Sequence, residues 1–75
     1  MTIVSRPERK PDFISKENNF KYWKIVVDGR YCLYVDTGMT CYYIPVMDSM
    51  MMDDEPQDVH DWFKSVLPPE LIMYF

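Results

Sequence analysis

The chain has 75 residues, 48% of them hydrophobic and 16% aromatic, and its 12 acidic and 8 basic side chains give a net charge of −4. That composition excludes a disordered chain, which would be poor in apolar and aromatic residues, and the length allows one domain at most, burying only about 60% of the surface its unfolded chain exposes. The longest apolar run, residues 41–47, contains Pro45 and falls far short of the ~20 residues that a membrane-spanning helix needs, so no membrane partner is expected.

Residues 1–19 alternate charge, proline and polar groups with isolated hydrophobes. They read as an extended or mobile arm ahead of a single small domain over 20–75. The first residues carry charge where a signal peptide would need an apolar stretch, so a cytoplasmic location is expected. At Phe20 the texture changes. Tyr22-Trp23-Lys24-Ile25-Val26-Val27 is rich in aromatic and β-branched residues and stops at Asp28-Gly29, a dipeptide suited to the positive φ angles of a two-residue hairpin turn. This predicts pairing of Val27 with Arg30, Ile25 with Cys32 and Trp23 with Tyr34.

The second run, Tyr31 to Val35, ends at Asp36-Thr37-Gly38, which suits a type I turn closed by a glycine bulge. A third strand over about 39–47 follows, with Cys32 opposite Tyr42 and Leu33 opposite Cys41. Pro45 lacks an amide proton, so the end of this strand belongs at a sheet edge or a bulge. Residues 48–53 read as a loop. Asp54-Glu55-Pro56-Gln57 reads as a helix start, with Asp54 as the cap. The helix should run from about 55 to 67, because Val59, Trp62, Phe63, Val66 and Leu67 form one apolar stripe at helical spacing and Pro68-Pro69 stops it. The tail from Glu70 to Phe75 is too apolar to be left in water and forms either a last strand or a short helical turn. The fold class expected is α+β: a three-stranded antiparallel meander, with a C-terminal fourth strand as an option, and one amphipathic helix packed on it.

The two faces of such a sheet are both largely apolar, whereas one helix covers only one of them. The second face is covered either by the arm and tail or by a partner. Exposed tyrosine, tryptophan and methionine mark interaction surfaces, which favours binding over catalysis.

The chemistry of an enzyme is missing. His60 stands alone between Asp58 and Asp61 with no second ligand at helical spacing, and the four serines lie in no nucleophile motif. Two glycines cannot build a phosphate-cradling loop. The acidic window also fails the calcium-loop pattern, with Asp53 where glycine is required and Val59 where the last glutamate belongs. No enzyme activity, cofactor or metal is expected. Cys32 and Cys41 fall on opposite faces in the predicted register, so a disulfide is disfavoured.

Charge is unevenly placed. Residues 1–30 hold seven basic and four acidic groups, whereas 31–75 hold Lys64 alone against eight acids, six of them between Asp48 and Asp61. Such a window repels anions and attracts basic surfaces. The candidate partner-binding residues are Asp53, Asp54, Glu55, Asp58 and Asp61 for electrostatic docking, with Met50, Met51 and Met52 for adaptable apolar contact. Asp54, Asp58 and Asp61, at i, i+4 and i+7, fall on one helical face away from the apolar stripe, and carboxylates so spaced would imitate the phosphates of a nucleic acid in a groove made for them.

The function expected is therefore that of a non-enzymatic protein-binding module, an inhibitor or adaptor whose partner is a protein with a basic surface. Small acidic domains without a catalytic set are typical of phage-encoded inhibitors of bacterial host or defence proteins, an analogy of class only. The alternatives are a homo-oligomeric structural or assembly protein, hence a homodimer, and a single-strand nucleic-acid binder using the basic arm. An isoelectric point near 4.7 counts against direct nucleic-acid binding.

Overall fold

The computed structural model describes residues 5–74; the first four residues of the expected arm and Phe75 of the expected tail lie outside them. In chain order the elements are β1 (Phe13–Ile14), β2 (Lys21–Val27), β3 (Arg30–Asp36), β4 (Cys41–Pro45), α1 (Ser49–Asp53), α2 (Gln57–Val66) and a terminal 3-10 helix (Pro69–Tyr74). The strands form one antiparallel sheet in the order β1-β2-β3-β4, with α2 packed on one face. The α+β class and the meander are as expected. The fourth strand, however, comes from the N-terminal segment, and the C-terminal tail takes the helical option.

The β2–β3 hairpin has the predicted register, with Val27 opposite Arg30, Ile25 opposite Cys32 and Trp23 opposite Tyr34. Its turn requires left-handed backbone, and Asp28 (φ 52°) and Gly29 (φ 77°) supply it. The β3–β4 register differs from expectation. Asp36 lies opposite Cys41, Val35 opposite Tyr42 and Leu33 opposite Ile44. The cause is the connecting loop, which is longer than a three-residue bulge turn. The Asp36 carboxylate accepts the Gly38 N–H at 2.8 Å, and the Thr37 hydroxyl accepts the N–H groups of Met39 and Thr40. A four-residue loop over 37–40 results, closed by Thr37 N donating to Thr40 O at 3.0 Å.

The register change is an odd number of residues, so it exchanges the faces of β4. Tyr42 and Ile44 turn toward α2, and Cys41 and Tyr43 turn away. Cys32 and Cys41 therefore share a face, but Cys32 lies beside Pro45 and Cys41 beside Asp36. The two thiols stay free because they are separated along the strands, rather than by facing opposite ways.

The core lies between sheet and α2. Tyr22, Leu33, Val35, Ile44, Val46, Met52, Val59, Phe63 and Leu67 are its buried members. Leu67 follows α2 directly, and Trp62 and Val66 pack at its margin. All five residues of the predicted stripe thus line the sheet side of the helix. The helix starts later than expected: Pro56 is its N-cap and makes no side-chain cap bond. Asp54 instead terminates α1, donating its N–H to the Met51 carbonyl at 3.3 Å, while the Glu55 N–H donates to the Met52 carbonyl at 3.1 Å. The loop expected over 48–53 is this short helix, begun by Asp48, whose carboxylate accepts the Met51 N–H at 3.2 Å.

The segment ahead of β2, expected to be extended or mobile, is tied to the domain from several directions. Phe13 pairs with Tyr22 in the sheet and stacks on Trp62 of α2 with ring centroids 5.2 Å apart. Asn19 turns the chain back at φ 63°. Residues 6–9 cross the face of the sheet opposite α2. There the Arg6 guanidinium lies 5.2 Å over the Trp23 ring and pairs with Asp36 at 2.9 Å, and the Trp23 indole donates to the Arg9 carbonyl at 3.1 Å.

Candidate interaction site

The eight residues singled out from the acidic window separate into two groups. Three are held by the fold itself. Met52 is 3% exposed and completes the core, because α1 directs it inward. Glu55, on the link between α1 and α2, accepts the hydroxyl protons of Tyr22 at 2.8 Å and Tyr42 at 3.1 Å. One carboxylate thereby joins two strands of the sheet. Burial, reinforced by the charge of Glu55, pushes the Tyr42 phenol up to about 12.

Asp58 is the third. It sits in the first turn of α2 and accepts from the Ser15 hydroxyl at 2.9 Å and the Lys16 N–H at 2.9 Å. Ser15, fully buried, also accepts the Glu17 N–H at 3.0 Å, and Glu17 in turn accepts the Asp58 N–H at 3.4 Å. Partial desolvation raises the affinity of Asp58 for a proton. The Lys16 N–H, Ser15 and the other donors outweigh that effect and hold its carboxyl below the ordinary value. This ring of bonds fastens the β1–β2 connection to the N-terminus of α2, where a carboxylate is favoured by the helix dipole.

The remaining five face solvent. Met50 is 82% exposed and Met51 44%, with Asp53 and Asp54 exposed beside them in sequence. Neither Asp53 nor Asp54 forms an ion pair among the described residues. Met47, just ahead of α1, is also exposed and extends the apolar part of this corner. Asp61 lies apart on α2, accepts from Gln57 at 2.9 Å and shares a shallow cleft with Phe13, Ile14, Lys16, Asp58 and Trp62.

The row Asp54, Asp58, Asp61 does not exist as one helical face. Asp54 lies outside α2, and Asp58 is turned to Ser15 and Lys16. Sequence reasoning missed the Ser15–Asp58 latch and the Tyr22–Glu55–Tyr42 bridge because both join residues more than ten positions apart. A signal for the first existed in Asn18-Asn19, a turn pair that folds the arm back onto β2.

Among the described residues, no group of three or more His, Cys, Asp or Glu side chains is arranged to hold a metal ion, and no helix is long and apolar enough to cross a membrane. Comparison of the chain with protein-family models, with curated proteins and with solved structures finds no match.

Proposed function

We propose that this protein is a non-enzymatic binding module that docks on a basic surface of another protein through the α1 corner, as an inhibitor or adaptor. The observation that carries this reading is the pairing, on one short helix and its flanks, of exposed Met47, Met50 and Met51 with the carboxylates of Asp53 and Asp54, which form no ion pair among the described residues. Flexible thioethers adapt to an irregular apolar contact, and uncompensated acids steer a cationic partner toward it. Met52, buried beneath, anchors the helix that presents them.

The basic segment is less suited to nucleic acid than its composition suggests. Arg6 is spent on Asp36 and Trp23, and Arg9 on Asp12 and the Lys24 carbonyl. The Trp23 ring is buried and has no free face on which a base could stack. By class analogy, the partner is a bacterial host or defence protein and the place of action the cytoplasm.

The experiment is an affinity capture from nuclease-treated bacterial lysate, read by mass spectrometry, with wild type beside Asp53→Lys/Asp54→Lys. Both sites are exposed, so the variant should keep the wild-type circular dichroism. A stoichiometric protein partner lost in the variant is the expected result. Equal recovery with both baits would remove the α1 acids from the interaction.

A further inference from the structure

The strand order leaves β4 at an edge of the sheet, and the bonds at its two ends tell which of its main-chain groups face outward. Opposed residues of an antiparallel ladder alternate between pairs that exchange hydrogen bonds and pairs that do not. Thr37 N donates to Thr40 O, and Val46 N donates to Tyr31 O, each at 3.0 Å. With the register between them fixed, the bonded pairs inside the ladder are Val35 with Tyr42 and Leu33 with Ile44. Cys41, Tyr43 and Pro45 therefore turn their main-chain groups away from β3. Pro45 brings no N–H to this edge, and its carbonyl already accepts Asp48 N at 2.9 Å. What remains is the N–H and C=O of Cys41 and of Tyr43, four groups without a main-chain partner among the described residues.

From these four groups we infer that β4 pairs with β4 of a second copy of the chain, antiparallel and centred on Tyr42, to give a continuous eight-stranded sheet. In that register Cys41 of each copy lies opposite Tyr43 of the other and exchanges two hydrogen bonds with it, so all four outward groups of both strands are satisfied. A register centred on Tyr43 or Ile44 would set the proline nitrogen against a carbonyl and lose bonds. The occupant is a second copy because the strand suits itself. Residues 37–47 contain no charged side chain, so self-pairing sets no like charges face to face despite the net charge of −4.

Charged side chains are the usual means of keeping sheet edges apart, and β4 has none. The opposite edge, β1, is only two residues long and is flanked by Asp12, Lys16 and Glu17. Met39, 96% exposed, and the exposed Cys41 gain neighbours in Pro45 and Tyr43 of the second copy. The pairing is independent of the α1 corner and leaves that corner's acids outside the new ladder.

The test is sedimentation over a concentration series, combined with residue-resolved amide exchange. Wild type should rise from the mass of one chain, 9.1 kDa, toward twice that value. The Cys41 and Tyr43 amides should slow with concentration by about tenfold, as newly formed hydrogen bonds do, while the Gly38 amide does not respond. Tyr43→Pro removes an outward N–H and no bond to β3, and Cys41→Lys places a charge on the edge at an exposed position. Both should stay at the mass of one chain, and the lysine variant guards against misfolding of the proline one. A wild type that is monomeric throughout, or a dimer that persists unchanged in Cys41→Lys with the Tyr43 amide unprotected, would overturn the inference.

Discussion

Ser15 is a small residue in a fully buried position, and its hydroxyl both donates to Asp58 and accepts the Glu17 N–H. Ser15→Ala would leave that N–H without its acceptor and take from the carboxylate one of its donors, the Lys16 N–H remaining. The expected loss is about 1–2 kcal/mol, or about 5–10 °C in the melting temperature of so small a domain. Thermal melts followed by circular dichroism would check it. Asp58 gives the same contact a pH signature. Its folded pKa is lowered, so its stabilising contribution is fully present above the unfolded value and disappears as the pH falls through the folded one. The difference in stability between wild type and Asp58→Asn should therefore be present at neutral pH and shrink in acid; a difference independent of pH would mean that the charge is not what the latch uses. Tyr42 acts at the other end of the scale. Its phenol is raised to about 12, so its contribution is present below the ordinary value of 10 and is lost as the pH climbs through the folded value. Denaturation midpoints should fall across that alkaline interval, and less steeply in Tyr42→Phe.

At the scale of elements, the turn chemistry decides what folds where. Gly29 sits at φ 77° with open space where a Cβ would go. Gly29→Ala should therefore cost only the left-handed backbone penalty, about 1 kcal/mol, readable as a shift in urea midpoint at unchanged slope. The β2–β3 hairpin was legible in the sequence because that turn is specified by two adjacent residues. The β3–β4 register was not, because it depends on the Asp36 and Thr37 side chains binding amides two and three residues ahead, which lengthens the loop and turns β4 over. The α2 stripe was legible from its periodicity, whereas the helix start was not. Asp54 has the chemistry of an N-cap, but Asp48 starts a separate turn of helix first and Asp54 ends it.

For the whole molecule, the difficulty posed by the sequence was a sheet with two apolar faces and a single helix. Part of the answer lies in the N-terminal segment, which covers the Trp23 and Tyr34 end of the second face with Arg6 and the Arg9 carbonyl. Removing residues 1–10 should expose the Trp23 indole, shift tryptophan emission to the red and lower the melting temperature. Unchanged emission would mean that the segment does not shield this ring. The acidic window is likewise divided by the fold. Its inner members, Met52, Glu55 and Asp58, serve the structure, and its outer members, Met50, Met51, Asp53 and Asp54 at α1 and Asp61 on α2, stay exposed. Sequence spacing could not separate the two roles, because what engages Glu55 and Asp58 comes from β2, β4 and the connection between the first two strands. The measurement that tests the functional account most directly is a hydrogen-exchange footprint of the captured complex against the free protein. Protection concentrated on residues 47–54, weakened by added salt, is the predicted result. Protection confined to other parts of the chain, with 47–54 exchanging as in the free protein, would contradict it.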